Sequence, residues 1–413
     1  MTTLLGAAGR IDVTETLIVS LLLVASIVAI AASFLRIPYT VALVLAGLVL
    51  GLSGAFASVS LSEPIIVLVF LPPLVFEGAI NLHLDELRRR WIQIGLLAVI
   101  GTLFSATVIA GSLMLIPGMA ATAAILLAVI LAPTDPVSVM AVFKANGVAA
   151  GLQTLLEGES LFNDALGIVL YVIAIDLAFP HGHQVTVLGG AREFVQEIAV
   201  GVAIGAAVGL VAHRLMASLS DHLIEITLSL VTAYGAFLAA DRLGGSGIIA
   251  TVAAGLLIGN FGTDRSMTEQ SRAAMIGFWE VIAFLANSAL FLLIGLDFDL
   301  ADLAETRTLT AAVAATIAML VARAVATWTL LRPFRNLEDP QTRIDPAWLP
   351  AVFWGGLRGG IPIALVLGLE GRTVGDTNTE ALVFGVVLAS LIGQGLTYKP
   401  LLRHQQLLVG QTD

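Results

Sequence analysis

Cysteine is absent from the 413 residues. This excludes disulfides and thiolate chemistry and leaves the redox compartment open. Charged residues are scarce, 12% of the chain against 58% hydrophobic, too few to clothe a soluble protein of this length. No phosphate-binding loop, nucleic-acid module or cluster of metal ligands is present, so no cofactor and no nucleic-acid partner is expected. His181 and His183 stand in a polar loop and read as ordinary surface residues. No cleavable leader is expected either, because acidic Asp12 and Glu15 stand where a signal carries basic residues. Only a short tail follows the last apolar run, so no soluble domain is expected. The formal charge of −10 says little about partners, since its acidity is spread over loops such as "LDFDLADLAE" at 296–305.

What fills the chain instead is apolar stretches of about 20 residues, each long enough to cross a bilayer as a helix. Mean hydropathy is +0.97. Thirteen spans are expected, near 13–34, 38–55, 62–80, 91–115, 120–143, 152–178, 193–214, 222–241, 246–260, 273–297, 308–331, 347–369 and 380–401. The fold class is therefore an all-α polytopic membrane protein, one integral membrane domain over residues 1–413. Lys and Arg test the count, since cytoplasmic loops hold the excess of basic residues. With an external N-terminus and a cytoplasmic C-terminus, thirteen basic residues fall inside, among them Arg88, Arg89 and Arg90, and five outside. Arg323 and Arg358 remain, stranded within membrane spans.

Ionisable residues inside the spans are costly against lipid and so carry the information. They are Glu77, Asp135, Glu159, Asp164, Glu280, Arg323 and Arg358. Asp176, Glu197 and Glu225 lie nearer span ends and read as charges reaching toward water. Asp135 sits in "LAPTDPVSVMAVF", between Pro133 and Pro136, which should break the helix and expose backbone groups at mid-depth. Taken alone, a proline kink with a polar cap explains that break as well as a binding site does.

The next span shifts the balance. In "LLEGESLFNDALGIVLY" Ser160 and Asp164 lie four apart on one helical face, with Glu159 and Asn163 alongside. The rest of the helix is apolar, so this stripe must face protein or water. With Thr134 and Asp135 it offers oxygen ligands of the kind that hard cations such as sodium prefer. Proton and cation would compete for one carboxylate. A buried arginine requires a buried carboxylate, so Arg323 is read as paired with Glu159 across two helices, with Asn163 hydrogen-bonded into the pair; the alternative is that Arg323 is a gating charge. Arg358 lies in "WGGLRGGIPIAL", a glycine-rich membrane stretch ending in Pro362 that should interrupt the twelfth span as the prolines interrupt the fifth. A displacement of seven spans inverts orientation. The chain thus reads as two inverted six-helix repeats, about 13–178 and 222–401, joined by a linking helix at about 193–214. Paired broken helices in corresponding positions point to a secondary transporter's midplane site.

"APTDPV", "EGESLFNDALGIVLY", the buried "ARA" arginine and "GGLRGGIPIAL", in this order and spacing, resemble the NhaP-type prokaryotic sodium/proton antiporters and the membrane domain of animal sodium/hydrogen exchangers. The resemblance spans nearly the whole chain. It implies thirteen helices with crossed discontinuous fifth and twelfth spans, a homodimer in the cell membrane, and alternating access by a moving six-helix core. By motif, Asp164 resembles the ion and proton carrier, with Thr134, Asp135 and Ser160 as companions in holding sodium. Glu159, Asn163, Arg323 and Arg358 resemble the supporting network, and Glu77 the acidic residue beside the ion passage, a packed neutral glutamate being the alternative for it. Glu280 matches a family pattern without an assigned role. The long regulatory tail of the animal exchangers is missing, which points to a prokaryotic protein.

The implied function is exchange of sodium, or of lithium or potassium, for protons. A cation channel or an organic-solute transporter fits less well, the first because inverted repeats suit alternating access, the second because an acidic stripe dominates the buried charge. Stoichiometry turns on Asn163. Relatives of the broader fold carry two adjacent aspartates, which the family pattern links to two protons per cation, whereas an amide here cannot titrate. One proton per cation is therefore expected, with Asp135 held as a fixed negative charge facing the positive ends of the half-helices.

Overall fold

A computed structural model describes residues 2–35, 37–53, 66–179, 187–219, 221–262, 267–298, 300–339, 341–369 and 378–408. His181 and His183 lie outside the described residues. No strand occurs among the described residues; they are helical, as a backbone in hydrocarbon requires when water cannot satisfy it. The helices are α1 (Thr2–Leu35), α2 (Tyr39–Leu52), α3 (Leu71–Asn81), α4 (Leu84–Gly95), α5 (Thr102–Met114), α6 (Ala121–Leu131), α7 (Val137–Asn146), α8 (Ala150–Ala178) and α9 (Val187–Met216). They continue as α10 (His222–Arg242), α11 (Gly247–Leu257), α12 (Glu269–Leu296), α13 (Leu300–Leu303), α14 (Thr306–Leu331), α15 (Trp348–Trp354), α16 (Gly360–Leu367), α17 (Thr379–Ser390) and α18 (Leu396–His404).

Within the described residues, each of the thirteen expected spans falls on one helix, on two helices joined through a π-helical turn (α4 with α5, α17 with α18), or on a broken pair; positions 54–55 and 62–65 of the second and third spans lie outside the described residues. Among the described residues, seven continuous helices, such as Leu84–Met114 and Glu269–Leu296, are long and apolar enough to cross a membrane by themselves. The broken pairs are α6 with α7 and α15 with α16. The first break comes where the prolines place it. In the second, glycines do the work: the helix stops at Trp354 and resumes at Gly360, while Pro362 sits in the first turn of α16. Proline is tolerated there because a first-turn N–H has no intrahelical acceptor to lose.

Packing sorts the helices into two bodies that cut across the repeats. In one, α12 lies along α2 and against α3, α11 joins α3, and α9 and α10 pack on α11. In the other, α5 holds α6 and α14, α8 lies on α4 and α6, and α17 lies on α14. The α2–α12 seam is backbone to backbone: a Cβ at Gly47 would overlap the Leu292 carbonyl, and one at Gly295 the Val44 carbonyl. Small residues that admit such approach are how helices associate where lipid removes the hydrophobic drive.

Candidate ion-binding site

The two breaks meet at one point. Pro133 has no N–H and restricts the residue before it, so α6 ends at Leu131; Pro136 then caps α7, leaving Asp135 in extended chain between them. The Asp135 N–H donates to the Leu357 carbonyl in the second break at 2.8 Å. Its carboxylate accepts from the Val137 N–H at 2.9 Å and from the Gly360 N–H, at the first turns of α7 and α16. One carboxyl side chain therefore faces the positive ends of two half-helices. Gly359 is required by this crossing, because a Cβ there would overlap the Asp135 carboxylate.

The opposite polarity is met by Arg358, 1% exposed. Its guanidinium donates to the Ala132 and Pro133 carbonyls that end α6, and its Nε to the Met319 sulfur at 2.9 Å. Its backbone N–H reaches Ser390 Oγ at 3.1 Å; Ser390 in turn donates to Gln394, whose amide donates to the Trp354 carbonyl closing α15. The second stranded arginine of the sequence is thus a cap for carbonyls that the breaks set free.

The polar stripe of α8 faces the first break and α14. Ser160 Oγ donates to the Thr134 carbonyl at 2.6 Å. Asn163 pairs with Thr134 twice, Nδ2 to Oγ1 at 2.8 Å and the Thr134 N–H to Oδ1 at 3.2 Å. The expectation that Asn163 joins the Glu159–Arg323 pair is therefore corrected: one helical step turns it toward the broken chain, where it serves the N–H and hydroxyl of Thr134. Arg323 meets Glu159 in a fork, Nη1 to Oε1 and Nη2 to Oε2 at 2.8 Å, and Nη2 also reaches the Val352 carbonyl at 3.0 Å. This ties α8, α14 and α15 together with all charge buried.

A cavity of about 400 Å³ opens beside the crossing. Asp135, Ser160 and Asp164 line it, and so do Glu77 from α3 and Glu280 from α12. Thr134 does not; its side chain turns to Asn163. Glu77 is half-buried and accepts from Asn81 Nδ2 at 2.9 Å, while Glu280 is exposed. Two further wall residues went unnoticed in the sequence, Glu157 and Asn287. Glu157 was discoverable, since Glu157, Ser160 and Asp164 follow the i, i+3, i+7 spacing of one face. Asp176 is exposed, but Glu225 departs from expectation: it is 1% exposed, in the first turn of α10. There the helix N-terminus favours a carboxylate, so burial replaces a reach toward water. The cluster at the crossing presents oxygens alone, two carboxylates and a hydroxyl, to a void between the two bodies, an arrangement suited to a small hard cation or a proton.

A family model described as "Sodium/hydrogen exchanger, transmembrane" matches residues 19–404. The chain is 37% identical over 388 residues to the Na+/H+ antiporter ApNhaP of Aphanothece halophytica, covering 93% of this chain and 73% of that one. It is 32% identical to the Na+/H+ antiporter NhaH of Halobacillus aidingensis, covering 93% of this chain and 96% of the relative. In fold it is similar to the sodium proton antiporter MjNhaP1 of Methanocaldococcus jannaschii, with a TM-score of 0.74 at 19% identity, over 93% of this chain and 99% of the other.

Proposed function

Because the chain belongs to the sodium/hydrogen exchanger family, we propose that it is a secondary antiporter exchanging sodium for protons, with Asp164, Asp135 and Ser160 as the place where one cargo displaces the other. The observation that carries this reading is the meeting of two broken membrane helices beside a cavity lined by both carboxylates. Asp164 is the carrier: a proton or a cation satisfies it, and each must leave before the other binds. Asp135, facing two half-helix N-termini, supplies fixed charge. Ser160 adds a hydroxyl oxygen whose own proton is already given to Thr134. Alternating access follows if the body holding α6–α8 and α14–α17 shifts against the body holding α2, α3 and α9–α12, closing the cavity on one face and opening it on the other.

The charge asymmetry of the loops supports a cytoplasmic C-terminus and an external N-terminus. With that orientation the cavity, bounded by the second half of α3, by α7 and by the first half of α8, faces the cytoplasm. The family resemblance supports a homodimer in the cell membrane. The deciding experiment uses purified protein in liposomes holding a pH gradient, with sodium, lithium, potassium and calcium added in turn and collapse of the gradient followed by a fluorescent probe. Sodium-dependent, saturating proton movement is expected; a gradient that sodium leaves intact refutes the assignment.

A further inference from the structure

Helix α12 presents Glu280, Ala283, Phe284, Asn287 and Leu290 to the cavity, one face of a helix by their spacing. Phe284 stacks on Tyr39 with ring centroids 5.0 Å apart. Leu290 presses on Gly360, where a Cβ would overlap its Cδ2. Asn287 is different. Its Oδ1 is buried without a hydrogen-bond partner among the described residues, and no bond of its amide to another described residue exists. Buried amide groups are almost always paired, because leaving one unmatched forfeits its hydration for nothing. The contact chain says what is near: Asn287 lies one turn before Leu290, Leu290 touches Gly360, and the Gly360 N–H is bonded to Asp135.

We propose that Asn287 is a further ligand of the transported cation, its amide oxygen joining the carboxylates and Ser160 from across the cavity; this rests on the reading of Asp135, Ser160 and Asp164 as the cation site. A carbonyl oxygen is a hard ligand of the kind sodium takes. The amide torsion is broad and roughly two-fold, so a half-turn directs the oxygen into the void. Being neutral, Asn287 adds affinity for a cation without adding a group that binds a proton at working pH, so it tilts the competition at Asp164 toward the cation. It also stands on the opposite body from Asp164. The ligand set is then complete only in the arrangement described here and loses one oxygen when the bodies shift, which favours release on the other side.

The test compares wild type, Asp164→Asn, Asn287→Ala and Asn287→Asp in liposomes under a fixed pH gradient, with sodium titrated at two pH values. Asn287→Ala is expected to raise the sodium KM about tenfold, equivalent to about 1.4 kcal/mol, with a much smaller loss of maximal rate, and to make protons stronger competitors. Asn287→Asp, nearly the same size, places an anionic oxygen there and should lower the sodium KM below that of wild type. A KM in Asn287→Ala within about twofold of wild type overturns the proposal and leaves the amide to water. Should that variant not accumulate as folded protein, an unchanged KM in Asn287→Asp overturns it. A wild type that moves no protons with sodium, or an Asp164→Asn variant as active as wild type, removes the site reading itself and the proposal with it, a pattern distinct from failure of Asn287 alone.

Discussion

At the scale of single residues, the chemistry reduces to which carboxylates are already committed. Glu159 is taken by Arg323 and Asp135 by two helix ends, which supports the proposal that Asp164 is the group that exchanges cargo. Asp164→Asn should therefore abolish sodium-dependent proton movement while the protein still purifies as a folded species, since an amide neither releases a proton nor neutralises a cation; a variant keeping half the wild-type rate would take Asp164 out of the mechanism. Arg323→Ala strands a buried Glu159 and should cost about 3–5 kcal/mol, seen as a lower thermal transition or poor accumulation. Adding Glu159→Ala should recover part of that loss, and a double variant no more stable than the single would show that the two do not depend on each other. Much of this was legible in the sequence, because a charge within an apolar run has few explanations. What was not legible is which neighbour a polar side chain chooses. Asn163 stands one turn beyond Glu159 on the same ridge of α8, and only the path of the broken chain decides that the amide serves Thr134. Asn287 escaped notice because an uncharged amide in a helix costs little enough to pass as ordinary packing.

At the scale of elements, the crossing is built by shape as much as by charge. Proline signals its own break, and residues 132–136 interrupt the fifth span as read from the sequence. The twelfth span is broken within its glycine-rich stretch, as expected from the sequence, but the place of Pro362 in the first turn of α16 was not legible, because a proline in a helix's first turn and a proline in its middle look alike until the helix start is known. Gly359 is the sharper test of the crossing. Gly359→Ala drives a methyl group against the Asp135 carboxylate and should slow exchange at least about tenfold, equivalent to about 1.4 kcal/mol. Gly111→Ala, where nothing stands within 4 Å of the added carbon, is the control: it should leave transport unchanged and stabilise α5 by up to about 1 kcal/mol. Equal rates in the two variants would mean that the contact between the breaks does not govern exchange.

For the whole molecule, the question is net charge per cycle. Asn163 cannot titrate, and its amide is bonded to Thr134 at both ends, so one proton per sodium ion is expected and the cycle moves no net charge. In liposomes clamped with potassium and valinomycin, the sodium/proton equilibrium should then be indifferent to imposed voltage, provided potassium proves not to be carried. An equilibrium that follows the voltage would mean a second titrating group, with Asp135 the first to suspect. The family resemblance implies a six-helix core, but which helices form each body was not legible in the chain. The repeats are consecutive in sequence, but each body draws helices from both, and only long-range contacts reveal that partition.

The α2–α12 seam and the cavity are opposite kinds of boundary. Where Gly47 and Gly295 let two backbones touch, dispersion contacts are dense and the helices move as a single strut. Where about 400 Å³ stands open between α12 and the crossing, those contacts are missing and adhesion is low. In the proposed cycle the void therefore serves as clearance in a bearing: friction between the bodies is least beside the proposed cargo site, and the energy needed to start a stroke is set by the carboxylates and their occupant rather than by side chains that must be pried apart.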